Sequence, residues 1–320
     1  MKFRKQKVFL SAASAILALA LVFTFAGCGD DDAISMVSTM GAPSVKDMTF
    51  DTRVVADLDE AEALWGKLHS AMDGYSLSIT DAIREADEKA YDEAFKAAYS
   101  MTPSAYMAGK MAEKKVSVSV KLNDKLKLAK AINDETGKTT VTAASIEGSS
   151  KSSISSNKTF AELMLGGMSG TGLENGDNYS SSFEANRTFN ISEGYASWET
   201  SGKTSKLSGI IKTEFKGSMK STLKDKTNMK SSMSWSGAHK VAAALSFSDG
   251  DMGAIFRFTF ADSYNEESRS VKGSATSNLS NIEVYGKDGK KIFDINSDDV
   301  SVYYFRELPS YFAYDDIGLF

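Results

Sequence analysis

Along much of this chain apolar and polar residues alternate in one of two rhythms, and the switch between them divides it. In "DLDEAEALWGKLHSAM", Leu58, Ala61, Trp65, Leu68 and Met72 recur at intervals of three and four, which predicts an amphipathic helix capped by Asp57, with Glu60 three places on. Gly74 ends it. A second helix opens at Thr80, aligns Ile83, Ala86, Ala90, Ala94 and Ala98 beside Tyr91, Phe95 and Tyr99, and stops before Pro103. A short third turn is expected in "PSAYMAGKMAEK".

From Val116 the period becomes two. "VSVSVKL" sets Val116, Val118, Val120 and Leu122 against Ser117, Ser119 and Lys121, as a strand with one buried face does. The longest run, "LSGIIKTEFKGSMKSTLKD", places Leu207, Ile211, Phe215, Met219 and Leu223 on one face, thinned by Gly209 and Gly217, with lysines on the other. Further strands follow at Met229–Gly237, "VAAALSF", "GAIFRFTFAD", "VKGSATSNLSNIEVYG", "KIFDIN" and "VSVYYF", joined by turn signals such as "SDGDM" and "YGKDGKK". The Ser/Gly-rich stretches "GSSKSSISSNK" and "LGGMSGTGLENGDN" are read as loops isolating the short element "TFAELML". Short connections imply antiparallel neighbours. The expected fold is α+β and mostly antiparallel β: a large curved sheet or partial barrel of roughly ten strands, with two N-terminal helices packed on it.

Ahead of these elements, Lys2, Arg4, Lys5 and Lys7 precede the uncharged run "VFLSAASAILALALVFTFA", the pattern of a secretory signal. The run ends Phe25-Ala26-Gly27-Cys28, with the chain's single cysteine. This resembles the lipobox of bacterial lipoproteins, in a relaxed form because Phe25 stands where leucine is usual. The resemblance covers the signal segment alone. It implies cleavage before Cys28, a diacylglyceryl group on its thiol and acylation of its amine, with Phe25, Ala26 and Gly27 as the peptidase recognition residues. The run is also long enough to cross a bilayer as an uncleaved anchor, which needs about 17–25 residues. The organisation expected is a signal peptide over 1–27, a flexible tether over 28–52 and one α+β domain over 53–320, helical to 112, β to 306 and ending in a tail.

Removing the signal takes four of the 37 basic residues and none of the 42 acidic ones, changing the net charge from −5 to 33 − 42 = −9. Such a chain is a poor general binder of nucleic acid. With one cysteine there is no internal disulfide.

Chemical motifs are sparse. "ETGKTT" and "TSGKTS" lack the first glycine of a phosphate loop, having Ile132 and Ser197 there, and read as hairpin turns. "SSNK" and "STLK" match S-x-x-K without the companion motifs of serine acyl enzymes. His69 is read as partly buried at a helix edge and His239, in "SGAHK", as lying in a turn, and the acidic clusters lack a calcium-loop pattern.

The expected function is therefore a non-catalytic binding or interaction module, with no enzyme activity and no cofactor or metal. It is anchored to a bacterial membrane, outer membrane or cell surface in preference to inner. An apolar small molecule, lined by Met219, Met233, Phe256 and Phe258, or another envelope protein is its expected partner. A structural or surface-interaction lipoprotein with a filled core is the first alternative, and a hydrolase with an unrecognised carboxylate pair is the second. A transmembrane barrel is disfavoured because both strand faces carry Lys, Asn or Ser.

Overall fold

The computed structural model describes residues 40–72, 79–124, 139–169, 172–197, 204–228, 230–267, 274–296, 298 and 305. The described chain is α+β with one open sheet of ten strands, antiparallel except for the two-residue β1, which pairs parallel with β7. In chain order the elements are β1 (Arg53–Val54), α1 (Leu58–Ala71), α2 (Ile79–Tyr99), α3 (Pro103–Ala108), β2 (Lys115–Asp124), β3 (Thr139–Ser156) and α4 (Phe160–Ser169). They continue with β4 (Asn178–Ser197), β5 (Thr204–Asp225), β6 (Lys230–Asp249), β7 (Met252–Glu267), β8 (Ser274–Leu279), β9 (Ile282–Tyr285) and β10 (Lys291–Ile295).

Strands β2 to β7 follow one another as a meander, and β9 and β10 complete the order β10-β9-β7-β6-β5-β4-β3-β2. The sheet is not closed into a barrel. The outer edge of β7 is shared by β1 at Met252–Gly253, β9 at Ile255–Arg257 and β8 at Phe260–Asn265. Three short segments thus occupy most of an edge that a long strand would otherwise leave open to pairing with another chain. At the opposite edge, on β2, the Tyr99 hydroxyl accepts from the Ser119 N–H at 2.9 Å and donates to its carbonyl at 3.1 Å.

The helices form as their periodicity predicts. Asp57 caps α1 by accepting from the Glu60 N–H at 2.9 Å, and Ala61, Leu64, Trp65, Leu68 and Ala71 form its buried stripe. Arg53 grips both oxygens of Glu60 at 2.7 and 2.8 Å, with its Nε on Asp251 at 3.2 Å. The Arg53 hydrogen bonds hold the Glu60 carboxyl down at about 2. On α2 the buried positions are Ile83, Ala86, Asp87, Ala90, Tyr91 and Phe95, while Ala98, expected on the apolar stripe, is exposed. Thr159 and Glu162 cap α4 reciprocally: the Thr159 N–H donates to Glu162 at 2.7 Å, and the Glu162 N–H donates to the Thr159 hydroxyl at 3.2 Å.

Several segments differ from the expectation: the helix that begins at Phe160 runs through Ser169 into the expected loop, and the strands expected on either side of His239 are one, β6. "GSSKSSISSNK" is a strand as far as Ser156, and Asn178–Ser197, to which no element was assigned, is β4, 20 residues long. Low hydrophobicity hid both. Their place inside the sheet supplies the backbone pairing, and serines find partners across the ladder: Ser153 with Ser182 at 2.8 Å and Ser155 with Ser180 at 2.9 Å. The expected strand "VKGSATSNLSNIEVYG" is divided into β8 and β9 at Ser280, whose N–H donates to the Thr259 carbonyl and whose hydroxyl accepts from the Thr259 N–H. "TSGKTS" and "ETGKTT" both fall mainly outside the described residues, while Ser197 and Thr204 at the ends of β4 and β5 pair in register.

The expected tether is not free throughout. Val45 is buried against Ala244, Ile255 and Tyr285, Met48 and Phe50 pack on the same cluster, and the Ser246 hydroxyl donates to the Thr49 carbonyl at 2.8 Å. The reason is sterically simple: alanine, serine and glycine on this end of β6 and β7 leave a shallow bed for the strap. At Gly253 an added Cβ would meet the Phe50 ring and the Thr52 hydroxyl at 2.5 Å. Residues 28–39 lie outside the described residues.

Candidate functional site

The sheet's two faces are built differently. The inner face, which carries the helices, holds the odd-numbered residues of β5 predicted to be apolar; Leu207, Ile211, Phe215 and Leu223 are buried there. Trp65 of α1 is lodged among Phe256 and Phe258 of β7 and Phe305, with ring centroids 5.4, 5.3 and 5.9 Å away. Phe258 and Phe305 meet edge to face at 4.9 Å. These side chains fill the space between helix and sheet with one another.

The four residues singled out as an apolar lining do not converge. Phe256 and Phe258 lie opposite Leu245 and Ala243, whereas Met219 pairs with Trp235 and Ser221 pairs with Met233, at the far end of β6. Met233 and Ala243 are ten positions apart on one strand, about 33 Å at strand rise. One small-molecule pocket cannot be lined by both groups. Met233 is buried, and Met219 and Trp235 are partly buried against the same continuous core. Phe25, Ala26, Gly27 and Cys28 lie outside the described residues.

Two charged links pin the helices to the inner face. Arg187, at the middle of β4, donates from Nε to both oxygens of Asp87 on α2 at 2.8 and 3.0 Å. Its Nη1 donates to the carbonyls of Ser149 and Asn186, each at 2.9 Å, and its Nη2 to the Ser150 hydroxyl at 2.8 Å. The side chains of Asp87 and Arg187 are 0% and 1% exposed, so this is a fully desolvated pair. Burial pushes the Asp87 carboxyl above its ordinary value, against the pull of the Arg187 charge and its hydrogen bonds. Gly148, the register partner of Arg187, has φ +154°, and an added Cβ there would stand 2.1 Å from the Asn186 carbonyl oxygen. Only glycine lets β3 come this close behind the guanidinium. The second link joins Lys67 of α1 to the buried Asp249, which also accepts from the Ser205 hydroxyl at 2.7 Å.

The outer face of β2–β5 is mostly polar and regular, and toward β6 it also carries Ile210 and the buried Ala238, Ala242 and Ala244. Register places Ser117, Ser153, Ser182, Ser218, Ser236 and Asn265 in one row across six strands. Ser218 and Ser236 share a hydrogen bond at 2.8 Å, as Ser153 and Ser182 do. Along β5 the same face carries Lys206, Lys212, Lys216, Lys220 and Lys224. Glu214 stands among them, 3.7 Å from Lys216 and 3.4 Å from Lys240. Beyond the strap, Arg257 and Tyr285 both donate to Glu283, at 2.6 and 3.0 Å. Burial alone raises the Glu283 carboxyl, but these bonds outweigh it and hold the group below its usual range.

Among the described residues no group of three or more His, Cys, Asp and Glu is placed to hold a metal, and no helix is long and apolar enough to cross a membrane. His239, expected in a turn, lies within β6 and faces Phe260 edge to face at 5.9 Å on the inner side, and His69 lies in the last turn of α1. Comparison with known families, curated proteins and solved structures finds no match to this chain.

Sequence reasoning missed Asp87 and Arg187. Both interrupt an apolar pattern: Asp87 sits four after Ile83 on the helix stripe, and Arg187 stands between Ala185 and Phe189 on the inner face of β4. One charge of each sign on two faces that must be buried is a readable signal for a pair.

Proposed function

We propose that this chain is an exported lipoprotein, held on a bacterial membrane by lipid on Cys28, that works as a non-catalytic interaction module through the outer face of its sheet. The observation that carries this reading is the contrast between the two faces. The inner face is occupied by the protein's own helices and aromatic side chains, with Trp65 standing where an apolar ligand against Phe256 and Phe258 would have to lie. The outer face of β2–β5 is mostly polar and carries exposed side chains such as Ser117, Lys151, Ser182 and Lys216. This favours the filled-core alternative over an apolar-ligand carrier. The lipobox resemblance supports the anchor and an outer-membrane or cell-surface location.

The thiol is the test of the anchor. Cells expressing the parent chain are expected to incorporate radiolabelled palmitate into it, and Cys28→Ser is expected to abolish the label and leave an unacylated precursor. Equal labelling of parent and variant would sink the lipoprotein reading.

A further inference from the structure

We infer that the outer face of β2–β6 docks onto an anionic membrane surface, so that the sheet lies with its lysines toward the phospholipid headgroups of the bilayer that holds the lipid anchor. The inference rests on the lipoprotein reading and goes beyond it by assigning the face a partner.

Charge segregation is the first ground. The chain as a whole is acidic, at −5. Yet on the outer face of β2–β6 the acidic positions Glu147, Glu184 and Glu214, with Glu193 and Asp225 at irregular points of the ladder, are outnumbered by the lysines of β5 together with Lys115, Lys121, Lys151, Lys230 and Lys240. Lys212, Lys216, Lys220 and Lys224 recur every fourth residue, about 13 Å apart at strand rise, on one side of one strand. Lys115 and Lys121 of β2 and Lys151 of β3 extend the positive surface sideways. Glu184 lies between Lys151 and Lys216 in register and Glu214 is flanked by Lys216 and Lys240, while Glu147 pairs with Asn123 and Thr188, and Glu267 of β7 follows Lys220 across Ser234; on the face of β2–β6 the lysines outnumber the acidic residues. The hydroxyl rows between the lysines add donors suited to phosphate oxygens.

The path of the chain is the second, independent ground. The strap from Val45 to Phe50 crosses the sheet on this same side, with Val45 on Ala244 and Thr49 on Ser246, both in the outward alternation that includes Lys240. The stretch back to Cys28 therefore starts from the lysine face. Its span of about 17 residues reaches at most roughly 60 Å, no more than the length of β5. A bilayer that holds Cys28 is thus within tether range of this face, and the linkage raises the effective concentration of one for the other. Anionic headgroups fit both the sign of the face and the place where the tether leads; a soluble anionic polymer fits only the sign.

The experiment uses acylated protein purified from cells and reconstituted into two kinds of vesicle, phosphatidylcholine alone and phosphatidylcholine with phosphatidylglycerol. Exposed lysines are then modified with a water-soluble amine reagent and read site by site by mass spectrometry. On the anionic vesicles Lys151, Lys212, Lys216 and Lys220 are expected to react about tenfold more slowly than on the neutral ones, and to recover in high salt. Lys89 and Lys96, exposed on α2 on the other side of the sheet, serve as controls and are expected to react equally in both. The triple variant Lys212→Glu, Lys216→Glu, Lys220→Glu, with its fold checked by circular dichroism, is expected to lose the protection of Lys151. Equal labelling of the face on both vesicles overturns the inference. Protection by soluble dextran sulfate without protection by anionic vesicles also overturns it, in favour of an anionic polymer. A chain that floats with neither vesicle has no lipid anchor, an outcome distinct from one that floats with both and labels equally.

Discussion

Replacing Trp65 by alanine is expected to lower the free energy of unfolding by about 3–5 kcal/mol, the range for deleting a large buried aromatic. The side chain is 2% exposed and touches rings from two directions, Phe256 and Phe258 on β7 and Phe305 from the chain's later part. Removing it leaves a void bounded by a strand held in register on both sides, which cannot collapse inward without breaking its ladder. Trp65→Phe separates the contributions. The indole Nε1 has no hydrogen-bond partner among the described residues, so phenylalanine forfeits volume but no hydrogen bond. Its cost is expected to be a minor part of the alanine cost. Urea unfolding midpoints measure both, and an alanine variant within about 1 kcal/mol of the parent would contradict the claim that Trp65 fills this space.

The second large effect lies at Arg187. Arg187→Met removes the guanidinium but leaves Asp87 buried with its charge uncompensated, and a loss of about 3–5 kcal/mol is expected. Asp87→Leu should cost a similar amount for the opposite reason, because it strands a buried cation. The double variant is the informative one. With both charges gone the desolvation cost goes too, so Asp87→Leu with Arg187→Met is expected to recover more than half of what either single change loses. Additive losses in the double-variant cycle would show that the two side chains are not coupled as their distance implies. The pair also fixes placement: α2 has several interchangeable alanines on its inner stripe, and Asp87 meeting Arg187 singles out one axial position on β3 and β4.

What could be read in the sequence follows from which signals are local. The α1 cap at Asp57, the α1 stripe and the alternation of β5 depend on neighbours within a few residues, and each formed where its pattern stood. β3 and β4 were invisible for the converse reason. Their serines and asparagines carry no hydrophobic alternation strong enough to announce a strand, and their stability comes from ladders to β2 and β5 and from hydroxyl pairs such as Ser153 with Ser182. The strap over 45–50 was hidden for a related cause. Val45, Met48 and Phe50 show no period, and only the small side chains of a strand some 200 positions later give them somewhere to lie.

The candidate lining showed the limit of face-by-face reading. Alternation assigned Met219, Met233, Phe256 and Phe258 to the inner face, and the structure puts Phe256 and Phe258 there with Met233 buried. It could not tell that strands of this length set the methionines and phenylalanines far apart, nor that Trp65 would occupy the aromatic end. The outer-face lysines were legible as a solvated stripe. Their net excess, and the strap that shares their side, needed the register of five strands.

The account turns on a core closed by the protein's own side chains, and native mass spectrometry of the protein purified from cells without denaturation, followed by solvent extraction, tests it most directly. The predicted spectrum is that of the polypeptide with its covalent acyl groups and nothing that extraction removes, and Met233→Asp or Phe258→Asp should then change stability without changing the set of bound masses. A noncovalent lipid that copurifies with the parent, is released by solvent and is lost in a folded Met233→Asp variant would contradict the account and return the inner face to the role of a ligand site.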